Sequence, residues 1–250
     1  MSPYENQVVI ITGGSSGIGR SAALAFAEKG ARVLITGRRR APLEAVAAAH
    51  MSIESLVADA ARPEDAPRTV ERALALWGRL DVLVNNAGAG VPMSLTSATA
   101  KRVSDIFAVN VTGPTLLAAQ AAPHLEAAKG SIINISSTFG HKAIAGFSHY
   151  AASKAALEHL TRCWALELAP QGVRVNAVAA GPAETAALVE MMGLSPEQAE
   201  GVKEHERKLI PLGRRGAPEE VARWVVALAD PAADWITGQI ISVDGGLGIS

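Results

Sequence analysis

Short runs of β-branched and apolar residues alternate with longer Ala/Leu-rich stretches along the whole chain. Val8–Thr12, Arg32–Thr36, Ser55–Asp59, Val82–Asn85, Ser131–Ser136, Arg174–Ala179 and Gln239–Val243 read as strands. Most are apolar nearly throughout, as expected of strands covered on both faces. Gly17–Lys29, Pro42–His50, Glu64–Trp77, Lys101–Ala121, Ser148–Leu168 and Pro218–Leu228 read as helices. This alternation calls for right-handed crossovers and a parallel sheet with helices on its faces. No linker or domain-scale repeat interrupts it. The 250 residues are therefore expected to form a single α/β domain, with three doubly wound layers around seven mostly parallel strands.

One segment breaks the rhythm. Residues 183–212 carry Leu188, Val189, Met191, Met192 and Leu194, then the charged run Lys203–Lys208. An insertion of this length is expected to act as a lid over a binding site.

Composition excludes several classes. A net charge of −1 offers no surface for nucleic acid or a membrane. The single cysteine, Cys163, rules out internal disulfides and Cys-rich zinc sites, and its apolar neighbours suggest a buried thiol. The six histidines show no metal-binding spacing, so no metal is expected. Met1–Gln7 is polar without a basic region, and Val8–Ile11 stops at Thr12-Gly13-Gly14, so no signal peptide is expected. No apolar run approaches the roughly 20 residues of a membrane helix. A cytoplasmic protein is the expectation.

Thr12-Gly13-Gly14-Ser15-Ser16-Gly17-Ile18-Gly19 joins the first strand to the first helix. Glycines there let the backbone approach a pyrophosphate, and the helix N-terminus offers unpaired N–H groups. Ser15 and Ser16 add hydroxyl donors. The spacing is G-x-x-x-G-x-G, not the more familiar G-x-G-x-x-G. Dinucleotide sites that take NAD(H) carry a carboxylate roughly 20 residues on. Here the second strand ends at Thr36-Gly37, followed by Arg38-Arg39-Arg40. Guanidinium suits a 2′-phosphate, so NADP(H) is favoured over NAD(H). Asp59, at the third strand end, is placed to accept from an adenine amino group.

Tyr150 and Lys154 lie four apart at the start of a predicted helix, hence on one face. An ammonium beside a phenol is expected to lower its pKa and suit it to acid/base work.

Taken together, Thr12-Gly13-x-x-x-Gly17-x-Gly19, Asn85-Asn86-Ala87-Gly88, Asn110, Ser137, Tyr150-x-x-x-Lys154, Gly181-Pro182-Ala183-Glu184-Thr185 and Asp244-Gly245-Gly246 resemble the short-chain dehydrogenase/reductase family over nearly the whole length. The resemblance implies a Rossmann fold and an oxidoreductase acting on a small carbonyl or alcohol. It implies that Tyr150 is the acid/base, that Ser137 hydrogen-bonds the reacting oxygen, that Lys154 holds the nicotinamide ribose and lowers the Tyr150 pKa, and that Asn110 holds a water in a proton relay. It places Ile18 with the glycine turn, Ala60 with Asp59, Asn86, Ala87 and Gly88 on the adenosine side, and Gly181, Ala183 and Thr185 toward the nicotinamide. It also implies a homotetramer, or a homodimer, built from the two long helices and the C-terminal segment. His141 and His149 flank the active segment and read as loop or helix-surface residues.

One departure stands out. The family usually has Pro-Gly after the sixth strand, and this chain has Ala180-Gly181. A more mobile loop is expected there. The alternatives are an NAD(H)-dependent alcohol dehydrogenase and a nucleotide-binding regulator without turnover. Cofactor titration and a hydride-transfer assay discriminate them.

Overall fold

The computed structural model describes residues 2–190 and 192–250; Met191, one of the apolar lid residues, lies outside the described residues. Seven strands form one sheet: β1 Val8–Thr12, β2 Arg32–Gly37, β3 Ile53–Val57, β4 Val82–Asn85, β5 Ser131–Ser137, β6 Arg174–Ala180 and β7 Ile240–Val243. Their order is β3-β2-β1-β4-β5-β6-β7, and every neighbouring pair is parallel.

The helices are α1 Gly17–Glu28, α2 Arg40–Ala47, α3 Asp65–Trp77, α4 Ala100–Phe107, α5 Gly113–Ala128, α6 Ser148–Leu168, α7 Ala187–Glu190, α8 Pro196–Leu209 and α9 Pro218–Ala229. Period-two alternation along β1 splits the core in two. Val9 and Ile11 pack on one face with Ala23 and Phe26 of α1 and Val225 of α9. Val8 and Ile10 pack on the other with Val70 of α3, Leu117 and Leu125 of α5 and Ala165 of α6. Each fully buried aliphatic or aromatic side chain contributes roughly 1.5–3 kcal/mol. No helix among the described residues is long and apolar enough to cross a membrane.

Four local expectations are corrected. The strand expected at Ser55–Asp59 ends two residues earlier, because Asp59 turns: its Oδ1 accepts from Ala61 N at 3.0 Å and its N donates to Asp65 Oδ2 at 2.7 Å. The helix expected over Lys101–Ala121 is two helices joined by a π-turn, Ala108–Thr112. Pro114 has no N–H to give the Asn110 carbonyl, which favours the wider turn. Tyr4, in the polar leader, is buried. Its hydroxyl donates to Val226 O, and its ring meets Phe26 edge-on at 5.2 Å. Cys163 is half-buried, not enclosed.

The order of strands across the sheet switches direction between β1 and β4, which opens a crevice at the carboxyl ends of the strands. The turns after β1 and β4 meet there. Thr12 Oγ1 accepts from Asn86 N at 3.0 Å and from Ala87 N at 2.9 Å.

Candidate functional site

The glycine turn is shaped by what a side chain would strike. Gly13 has φ +66° and Gly17 φ +53°, the left-handed region that favours glycine. A Cβ on Gly13 would stand 3.0 Å from Ala87 Cα, and one on Gly19 2.5 Å from Gly13 O. Ser16 is the N-cap of α1 but makes no side-chain cap bond, so first-turn N–H groups stay open to an anion. Ser15 Oγ lies 3.6 Å from where a Gly37 Cβ would be, which places it beside the end of β2. Ile18 packs on the first core cluster. This cradle fits a dinucleotide pyrophosphate.

Arg38 lines a cavity of about 450 Å³ with Asp59, Arg62, Asp65 and Arg68. Arg68 is paired with Asp65. Arg38 and Arg62 have no carboxylate partner among the described residues. Sequence reasoning missed Arg62; its signal was a guanidinium three residues past the Asp59 strand end. Arg39 is turned away, tied to Glu190 of α7 at 2.7 Å. Asp59 spends one oxygen on its own turn. Ala60 gives its carbonyl to the close approach of Gly113, where a Cβ would fall 2.1 Å from it.

Asn86 and Gly88 lie in the turn after β4 that meets the glycine turn. The Asn86 amide donates to Thr12 O at 2.8 Å and Gly13 O at 3.1 Å, so it braces the glycine turn. A Cβ on Gly88 would lie 3.4 Å from Lys154 Nζ and 3.6 Å from Asn110 Oδ1. Gly88 therefore lies beside the Tyr–Lys cluster.

The expected catalytic residues come together. Ser137 ends β5, Tyr150 and Lys154 open α6, and Asn110 turns inward from the π-turn, fully buried. Asn110 Oδ1 accepts from Ala89 N at 2.8 Å, and its Nδ2 donates to Ala89 O at 2.7 Å and Ser153 Oγ at 2.9 Å. The Tyr150 ring lies against Gly90, where a Cβ would fall 2.7 Å from the ring. Lys154 Nζ sits 5.9 Å from the ring centroid and donates to Ile135 O at 2.8 Å.

The electrostatics correct the expected direction for Tyr150. Tyr150 keeps some surface open, yet burial dominates and pushes its phenol pKa up, while the Ser137 hydroxyl pulls the other way. The Lys154 ammonium, turned to the Ile135 carbonyl, does not overcome this. Burial pushes Lys154 itself down to about 8, opposed by the Glu158 carboxylate. Lys154 is thus the group poised to titrate near neutrality.

The segment 183–212 starts on the glycine turn. A Cβ on Gly17 would lie 3.1 Å from Thr185 Cγ2. Gly181 is held close: a Cβ there would fall 2.5 Å from Asp244 Cα. Ala183 bridges Gly216, Glu184 N donates to Gly216 O at 2.8 Å, and Gly216 N donates to Pro182 O at 3.0 Å. Buried Arg215 donates to Ala183 O at 2.5 Å. Two backbone hydrogen bonds and a buried arginine fasten the loop after Ala180, where the missing proline suggested looseness. His149 meets Ser148 Oγ at 3.3 Å, and His141 faces Glu158.

A glycine-shaped crevice at the strand ends, beside a buried Lys and a Tyr, describes a dinucleotide-binding oxidoreductase. The family described as Enoyl-(Acyl carrier protein) reductase matches residues 13–248. An uncharacterized oxidoreductase of Mycobacterium tuberculosis is 41% identical over 99% of this chain and 94% of its own. A short-chain dehydrogenase/reductase of unknown function from Caenorhabditis elegans, solved with cofactor, superposes with TM-score 0.92 at 34% identity, over 99% of this chain and 97% of that one. The 3-ketoacyl-(acyl-carrier-protein) reductase of Brucella melitensis, complexed with NADH, gives TM-score 0.91 at 33% identity, over 98% and 99%. The chain belongs to the short-chain dehydrogenase/reductase family and is an oxidoreductase that uses a nicotinamide cofactor.

Proposed function

We propose that this protein is an NADP(H)-dependent oxidoreductase that interconverts a ketone and a secondary alcohol, with Tyr150 as general acid and base. The observation that carries it is the meeting of Ser137, Tyr150, Lys154 and Asn110 at the crevice of the sheet. When bound, the nicotinamide supplies or accepts the hydride. The chain's own residues do the rest. Tyr150, kept protonated by burial, gives its proton to the oxygen of a carbonyl being reduced. Ser137 donates to that oxygen and stabilises its developing charge. Lys154 holds ribose hydroxyls with its ammonium and faces the phenol. Asn110, fixed by Ala89 and Ser153, anchors the inner end of a proton path. Residues 183–212 close over the substrate.

Arg38, with Arg62 on the same cavity and Gly37 where a carboxylate would stand, supports NADP(H). The NADH in the Brucella reductase favours NAD(H) as a second reading. Titrating both cofactors into wild type and Arg38→Ala decides between them. NADPH is expected to bind more tightly, and Arg38→Ala to weaken it by about 1–3 kcal/mol while leaving NADH nearly unchanged. Equal losses for both cofactors sink the assignment. Leu166, Trp224 and Trp235 are exposed apolar side chains on α6, α9 and the approach to β7, and they support assembly as a homotetramer.

A further inference from the structure

Glu158 is a carboxylate with 4% of its surface exposed, one turn beyond Lys154 on α6. A buried charge without partners is costly, and the surroundings of this one are built to hold it. Ser136 Oγ donates to Oε1 at 2.8 Å, and His141 Nδ1 stands 3.3 Å from the same oxygen. A Cβ on Gly140 would fall 2.4 Å from that oxygen, so glycine is what leaves room for the carboxylate. Beyond it, His141 Nε2 is 3.4 Å from Ser242 Oγ. His141 thus bridges the Glu158 carboxylate and Ser242.

On the inner side, Ile135 and Ser136 are consecutive on β5. Ile135 O takes the Lys154 ammonium and Ser136 Oγ takes part of the Glu158 carboxylate. The two charges therefore flank the same two residues of one strand. The other charged groups nearby are engaged elsewhere. Asp244, beyond β7, accepts from Thr138 Oγ1 at 3.0 Å and Gly248 N at 2.8 Å, and Lys142 donates to Leu247 O at 2.7 Å.

We propose that Glu158 is a positioning residue for Lys154: its buried charge keeps the Lys154 side chain an ammonium against Ile135 and so sets the alkaline limit of turnover. This rests on the function proposed above. An opposite charge one helical turn away favours the charged form, and Glu158 is the group opposing the burial of Lys154. Without it Lys154 loses its proton at lower pH, and the reaction loses the ammonium.

The test reads Lys154 directly. Side-chain NMR of lysine-labelled protein is recorded from about pH 6 to about pH 10, a range that spans the free amine's approach to neutrality. The Lys154 signal is assigned with Lys154→Arg. Wild type, Glu158→Gln and Ser136→Ala are compared, alongside NADPH-driven reduction of ethyl acetoacetate across the same range. Glu158→Gln is expected to lower both the Lys154 midpoint and the alkaline limb of kcat by on the order of one pH unit. Ser136→Ala is expected to lower both by less, and it carries the test if the Gln variant does not fold. An unmoved Lys154 midpoint in a folded variant overturns the proposal, as does a moved midpoint with an unmoved limb. A moved midpoint in a protein with no NADPH turnover overturns the assigned function and supports the Glu158–Lys154 coupling.

Discussion

At the scale of single residues, the pairing of Tyr150 with Lys154 acts differently from the simple expectation of a depressed phenol. Burial holds Tyr150 protonated and brings Lys154 to about 8. In the proposed reaction the phenol supplies a proton and touches the cofactor little, so its loss falls on turnover. Tyr150→Phe is expected to lower kcat by about 10²–10⁴, the span typical of acid–base catalysis, while NADPH affinity stays near wild type. Single-turnover kinetics with a cofactor titration checks this. Turnover within about tenfold of wild type places the acid elsewhere. The cluster itself was legible in the sequence, because four residue types at family spacing name their positions. Its electrostatics were not, since they depend on how deep α6 sinks against β5 and on a carbonyl, Ile135 O, that carries no side-chain signature. Glu158 escaped for the same reason: on a helix written as one letter among many, nothing marks it as buried.

At the scale of elements, nearly apolar runs marked every strand, and five helices fell within a few residues of where the pattern put them, while the sixth divided into α4 and α5. The π-turn was invisible to a 3.6-residue period, although Gly113-Pro114 marks the spot once its cause is known. The segment 183–212 could be read as an insertion but not as structure, and it contains α7 and α8. Ser195 caps α8 with a capping box: its Oγ accepts from Gln198 N at 3.2 Å and its own N donates to Gln198 Oε1 at 2.9 Å. Surface ion pairs to Glu184 and Glu200 add little to hold the helix. Amides of α8 are therefore expected to exchange faster than those of β1 or β5 in the free protein, and more slowly once cofactor binds. Ser195→Ala should cost about 1 kcal/mol and speed α8 exchange by about fivefold. Hydrogen exchange with and without NADPH measures both. Strand-like protection of α8 in the free protein removes its role as a gate.

At the scale of the whole molecule, keeping Lys154 charged and buried costs folding stability. Its folded pKa is about 8, below the ordinary lysine value of 10.5. Below pH 8 the buried ammonium bears the full cost. Between about 8 and 10.5 the unfolded chain binds the extra proton, so stability rises with pH there, and above that range the cost is gone. Lys154→Met removes this contribution, worth on the order of 3 kcal/mol. The difference in unfolding free energy between wild type and Lys154→Met should therefore shift in favour of wild type as pH rises from about 8 to about 10. Denaturant melts of both proteins at several pH values give that difference. A pH-independent gap between them means that Lys154 titrates where free lysine does.

The packing of α9 on α1 has a consequence for how the protein is made. β1 lies inside the sheet, between β2 and β4, and leaves the ribosome well before α9. Part of the cover for its helix comes from residues 221–229, which leave long after it. Throughout synthesis the apolar side of α1, with Ala22, Ala23 and Phe26, and the ring of Tyr4 wait without Val221, Val225 and Val226. The nascent chain is in that interval a ligand for chaperones that grip oily surface. A message truncated before Pro218 yields an adhesive polypeptide, not a smaller enzyme.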